Sequence, residues 1–207
     1  MKASRPVIPM ADSSGQISSD DLIPTTLPDA FLRSKIAINA QSFQLPYYEE
    51  LPDIPLYREQ VISYIQKIFD PLSSCVEGPW ITPSMINNYV KGGLIPAPIK
   101  KLYGKDHLAL IIAICIFKQV LSMSAIQHLF KIQRITYHRD IAYNYTVEEV
   151  KSALAASFSS SFDISKDSAL IVTRESLLVR SAAIAFASKI YLMDYLRYTG
   201  LDTTGRK

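Results

Sequence analysis

Seven glycines in 207 residues leave no glycine-rich loop that could cradle a phosphate, and two cysteines forty positions apart are no disulfide framework. Cys115 sits inside LALIIAICIF, where a thiol serves as a small buried hydrophobe, and Cys75 stands alone. Both are read as reduced, which makes a cytoplasmic setting the expectation. No apolar run reaches the roughly 18 residues that cross a bilayer. The richest, Leu108 to Phe117 and Ala182 to Met193, fall short, and MKASRPVIPMADSSGQISSDD has no apolar core of signal-peptide length. No membrane partner is expected. Basic residues outnumber acidic ones by only 22 to 19, so the net charge of +3 does not itself point to a polyanion.

Catalytic patterns are equally scarce. His107, His128 and His138 have no cysteine or paired carboxylate at a metal-ligand interval, so neither metal nor cofactor is expected. The acidic pairs at 49–50 and 148–149 read as solvated faces or first turns of helices rather than as a general acid and base. SSS at 159–161 lacks the context of a nucleophile elbow. No catalytic residue is assigned, and an enzyme is the least expected class.

What is there is helical periodicity. Residues 1–28 mix Ser, Pro, Asp and Gly without a period and read as a flexible tail. Residues 29–54 read as a connector with a short helix in PDAFLRSKIAI and an extended, proline-rich LPYYEELPDIPLY, so the compact part is expected to start near Tyr57. YREQVISYIQKIF places Val61, Ile62, Ile65 and Ile68 or Phe69 on one face, and Asp70-Pro71 stops that helix before a loop. A helix from Gly104 or Lys105 to Leu121 is apolar nearly all round; Ser122 caps the next, with Ile126, Leu129 and Phe130 inward. Helices follow in TVEEVKSALAASF and from about Arg174 to Tyr198, after a serine-rich break at 158–161. The class is mainly α.

One stretch concentrates charge. ITPSMINNYVKGGLIPAPIKKLYGKDHL, Ile81 to Leu108, holds four lysines and no acid before Asp106. Thr82-Pro83 is a hydroxyl N-cap with proline at the first helical position, and Gly92-Gly93 ends the helix after about nine residues. Ile86, Tyr89, Val90 and Gly93 share one side; Ser84, Asn87, Asn88 and Lys91 share the other. Two interior asparagines cost a few tenths of a kcal/mol each relative to alanine. An asparagine amide can pair bidentately with adenine, and lysine holds phosphate oxygens. The bland alternative is a solvated polar stripe; the nearby Lys100, Lys101 and Lys105 tip the reading toward a polyanion.

ITPSMINNYVKGGLIP resembles the helix-turn-helix of the MerR transcription regulators, which has a hydroxyl cap, a helix ending in a tyrosine-rich triplet, and Gly-Leu-Leu-Pro. SMSAIQHLF, Ser122 to Phe130, resembles that family's later Ser-Leu-x-x-Ile-x-x-Leu-Leu helix. MINNYVKGGLIP, KKLYGKDHLA and KQVLSMSAIQHLF together are closer still to the bacterial domain of unknown function family 1836, taken as a MerR-like offshoot. The likeness spans about residues 55–135 and is most specific over Met85 to Pro96. It places Asn87 where MerR proteins usually carry a backbone-contacting arginine, Asn88 and Tyr89 at their paired tyrosines, and Lys91 at a common basic position. Lys101 and Tyr103 fall in the wing's Arg and Tyr region. Two departures stand out. The wing is several residues shorter with no glycine at its tip, and LALIIAICIF replaces a charge-rich third helix, which implies that the C-terminal region buries it.

The expectation is therefore a MerR-like winged helix-turn-helix over residues 55–135 and a C-terminal helical packing or dimerisation region over 136–207. The resemblance implies sequence-specific binding of double-stranded DNA in transcriptional control, by a homodimer. Ser84, Asn87, Asn88 and Lys91 would face the major groove, and Lys100, Lys101, Tyr103 and Lys105 the phosphates. The alternative is a protein-interaction or scaffold module that keeps the fold without binding DNA. Tyr191, Tyr195 and Tyr198 mark either an aromatic-lined pocket for a small-molecule effector or, more commonly for such a stripe, core or dimer packing.

Overall fold

Side-chain oxygens start four of the helices; at the first, Ser34 Oγ accepts from the Ala37 amide at 3.3 Å. Thr82 Oγ1 accepts from the Met85 amide at 3.2 Å, Ser122 Oγ from Ala125 at 3.2 Å, and Thr173 Oγ1 from Ser176 at 3.1 Å. Each satisfies an amide that a helix N-terminus otherwise leaves without a partner. The computed structural model describes residues 27–161, 163 and 166–200; the tail expected over 1–28 lies almost wholly outside them. Among the described residues the order is α1 (Lys35–Gln41), β1 (Leu56–Tyr57), α2 (Arg58–Phe69), α3 (Pro83–Lys91), β2 (Leu102–Tyr103), α4 (Lys105–Phe117), α5 (Met123–Thr136), α6 (Arg139–Ser157) and α7 (Arg174–Tyr198). The chain is mainly α, with one small antiparallel sheet in which Leu56 pairs with Tyr103 and Tyr57 with Leu102.

α4 is the centre of the molecule. Every residue from His107 to Phe117 is buried, and the helix packs against both α6 and α7. That explains an all-round apolar helix: its neighbours consume each of its sides. α6 and α7 pack along each other, closing the C-terminal side of the core through Val150, Ala153, Ala183 and Phe186. By length and composition α7 could also cross a membrane. Here its inner face is core, its buried Asp194 meets Cys75, and its Lys189 ammonium donates to the Gln119 carbonyl at 3.1 Å.

Four expectations need correction. The compact part does not begin near Tyr57: Phe31, Leu32, Ala37, Ala40, Phe43, Leu45 and Leu51 are all buried. Their spacing has no period, so burial could not be read locally. The Tyr48 amide donates to Asn144 Oδ1 at 2.7 Å and the Tyr143 hydroxyl to the Pro46 carbonyl at 2.9 Å, tying this segment to α6. Second, Asp70–Cys75 is a 3₁₀ helix rather than loop, turning Leu72 and Cys75 inward. Third, α4 stops at Phe117, four residues short of Leu121. Fourth, Glu149 is not on a solvated face: it is 2% exposed, takes Arg180 at 2.5 Å, and accepts from the Ser168 amide and hydroxyl at 3.0 and 2.6 Å.

The tyrosines of α7 are packing residues. Phe31, 1% exposed, lies 5.4 Å from the Tyr191 ring, 5.3 Å from Tyr195 and 5.5 Å from Tyr198, largely edge to face. Phe31 packs into that stripe, which is the packing use of these rings.

Candidate nucleic-acid interface

α3 is short because its chemistry ends it. After Lys91, Gly92 donates to the Asn88 carbonyl at 2.8 Å, and Gly93, at φ +69°, takes a left-handed conformation that L side chains resist. The Leu94 amide then bonds back to the Tyr89 carbonyl at 2.9 Å, and the chain leaves the helix at a sharp angle. Ile86 and Tyr89 are buried against α2, which anchors one face. Burial pushes the Tyr89 phenol up, well beyond the range in which it would ionise.

The other face is open. Ser84, Asn87, Asn88 and Lys91 are all exposed. Neither asparagine amide nor the Lys91 ammonium has a hydrogen-bond or ion-pair partner among the described residues. Three polar side chains stand on one helical face with their bonding capacity unused.

A hairpin follows α3 in the chain. The Ile99 amide donates to the Leu102 carbonyl at 3.2 Å and Leu102 returns the bond at 2.9 Å, leaving Lys100 and Lys101 as the two tip residues. Both have positive φ, +49° and +67°. A two-residue hairpin turn of this kind favours Asn-Gly, and placing other residues there costs on the order of 1 kcal/mol each. The missing tip glycine is thus replaced by two strained, exposed lysines, with Ile99 beside them 75% exposed. β2 ties the hairpin to β1 and so to the start of α2.

Two residues predicted to hold phosphates do not reach solvent freely. The Tyr103 ring is 5% exposed and meets the His107 ring edge-on at 5.4 Å; it is a core residue of the hairpin base. Lys105 forms an ion pair with Asp53 at 2.6 Å, donates to the Glu49 carbonyl at 3.3 Å and lies over the Tyr48 ring. The returning N-terminal segment takes that charge. Of the lysines expected to meet a polyanion, Lys91, Lys100 and Lys101 stay exposed and unpaired among the described residues.

α5 contributes residues the sequence reading passed over. Gln127 Nε2 donates to the Gly92 carbonyl at 2.8 Å, and Arg134 Nη2 donates to the carbonyls of Leu94 at 3.0 Å and Gly93 at 3.4 Å. These bonds clamp the turn that follows α3. Nothing local announces them, because the partners are 35 to 41 residues apart. Lys118 works from the other end: its half-buried ammonium donates to the Trp80 carbonyl just ahead of α3, and burial pulls its pKa down.

Among the described residues no three His, Cys, Asp or Glu side chains converge on a metal position. Cys115 is wholly enclosed, and burial raises its thiol pKa to about 12, which keeps it unreactive. The family described as Domain of unknown function (DUF1836) matches residues 46–150, from the proline-rich segment through α3 and the hairpin into α6. No curated protein and no solved structure matches the chain.

Proposed function

We propose, given that the chain belongs to the DUF1836 family of unknown function, that it is a sequence-specific binder of double-stranded DNA of the MerR-like winged helix-turn-helix type, acting in cytoplasmic transcriptional control. α3 lies in the major groove with Ser84, Asn87, Asn88 and Lys91 toward base edges and nearby phosphates. The hairpin sets Lys100 and Lys101 on the backbone. One combination carries this reading: α3 exposes unpartnered amides, and the hairpin that follows it in the chain holds two exposed lysines in a costly conformation. Strain of that kind persists where surrounding structure imposes it, and it gathers at functional positions.

The order of strand, helix, capped short helix, hairpin and returning strand supports the winged form. Homodimerisation belongs to the same reading. It is supported by apolar side chains left on the surface, Ile132 and Ile135 on α5 at 39% and 82% exposure. Two copies would present two α3 helices to a two-fold site.

With Lys91, Lys100 and Lys101 as the phosphate-binding groups, each protomer should give a log–log salt slope of about −3, and a dimer about −5. Titration of random duplex DNA at several salt concentrations measures it. A flat response removes the reading. The exposed Ile99 favours a second reading, a protein-docking module on the same fold. Replacing Lys91, Lys100 and Lys101 together by glutamate separates the two: a DNA binder loses retention on immobilised duplex, whereas a module docking through Ile99 never had it.

A further inference from the structure

The C-terminal half of α5 separates two cavities. The smaller, about 360 Å³, has a polar wall of Arg134, His138, Arg139, Tyr48 and Asp106. The larger, about 680 Å³, is walled chiefly by Leu129, Ile141, Ala142, Leu170, Ile171 and Val179. Gln133 and Tyr137 line both, so the two spaces lie side by side with these side chains between them. Their volumes are those of small-molecule sites.

The charges in the two spaces differ in sign. In the smaller, Asp106 is the one carboxylate among the described lining residues, and it is already engaged by Arg139 at 2.8 Å and by the Tyr48 hydroxyl at 2.6 Å. His138 is held by Asp140 at 2.5 Å. Among the described residues Arg134 donates only to the carbonyls of Gly93 and Leu94, and no carboxylate pairs with its guanidinium. The larger cavity carries Glu148 and Glu175 in its lining, which would repel an anion there. Its apolar walls want a hydrocarbon body, while Arg134 wants an anionic head.

We propose that the paired cavities form a binding site for one amphipathic monocarboxylate, its apolar body in the larger space and its carboxylate on Arg134 in the smaller. Because Arg134 also grips the turn after α3, the ligand competes with the Gly93 and Leu94 carbonyls for the same guanidinium. Occupancy therefore loosens the C-terminal end of α3. The binding site stands on the cavities alone; its effect on DNA rests on the function proposed above.

The test uses the full chain with decanoate and its uncharged counterpart 1-decanol, followed by titration calorimetry. Decanoate should bind saturably and more tightly than decanol. Arg134→Gln should weaken decanoate about tenfold while leaving decanol nearly unchanged, and Ile141→Asp, at an exposed position on the cavity rim, should weaken both. Hydrogen exchange at the amides of residues 92–95 should quicken when decanoate binds to the unmodified chain. Equal affinity for acid and alcohol, or no saturable binding of decanoate, overturns the proposal. So does a dimer that Ile141→Asp dissociates without decanoate binding, which would give the groove to a second copy. If decanoate binds as stated and no duplex DNA is retained, the site stands and the DNA reading falls. If DNA is bound and decanoate is not, the reverse holds.

Discussion

Gln127, on α5, donates its amide hydrogen to the carbonyl of Gly92 at 2.8 Å, one residue past the end of α3. A Cβ on Gly92 would lie 3.1 Å from the Asn88 carbonyl and 3.5 Å from that same Gln127 amide, so the turn is held closely on both sides. The stability of the nine-residue α3 thus depends on a helix that begins only at Met123, since a helix so short is marginal without tertiary support.

Gln127→Ala should lower stability by about 0.5 to 1 kcal/mol, the range for one lost hydrogen bond at a solvent-accessible site. Urea unfolding would read this as a lower midpoint at unchanged slope. An unchanged midpoint would mean that the bond contributes nothing and the turn is held by backbone alone.

The hairpin tip offers a test in the opposite direction. Lys100→Asn combined with Lys101→Gly should raise stability by about 1 to 2 kcal/mol, because both positions have positive φ and the new pair accepts it readily. The same change should reduce retention on duplex DNA. A more stable variant that still binds DNA as before would separate the strain from the function.

On α3, Asn87→Ala should lose about 1 to 3 kcal/mol of discrimination between preferred and random duplexes. The helix itself should gain a few tenths of a kcal/mol. Lys91→Ala, in contrast, should weaken binding to all sequences alike. Competition titrations would measure both; identical losses on every sequence from both variants would leave no role for base reading.

Asp194 makes stability depend on pH. Its carboxyl is 1% exposed, and burial raises its pKa above the usual carboxylate range despite the opposing Cys75 thiol at 2.9 Å, Arg197 and Ser74. Between the unfolded and the raised folded value, the native state holds more protons than the unfolded one. Stability contributed by the neutral acid is therefore full below the ordinary value and declines as pH rises through the window. Asp194→Asn keeps an acceptor for the thiol and cannot ionise, so it should gain on the parent protein as pH is raised from 4 to 7. Parallel pH profiles of thermal unfolding would contradict this.

Much of the architecture was legible because its signals are local. Thr82, Ser122 and the glycines at 92 and 93 act within four residues, and they set the ends of α3 and the start of α5 as expected. The extent of α7, Arg174–Tyr198, also matches its periodic stretch. The candidate site was legible only in part. Exposure of Asn87 and Asn88 follows from helical period alone, but the fate of Tyr103 and Lys105 does not. Lys105 is claimed by Asp53 and by Glu49, 56 residues before it, and that segment has no period to betray its burial.

Caps, breakers and the spacing of apolar residues were therefore sufficient to establish a mainly helical chain with a short capped helix that turns its amides outward. These are nearest-neighbour effects along the backbone, carried by residue type. Packing alone chose which lysines remain free, tied α3 to α5 through Gln127 and Arg134, and filled the tyrosine stripe of α7 with Phe31. Such choices join residues dozens of positions apart, and their energies exist only once the core around α4 has brought those surfaces together.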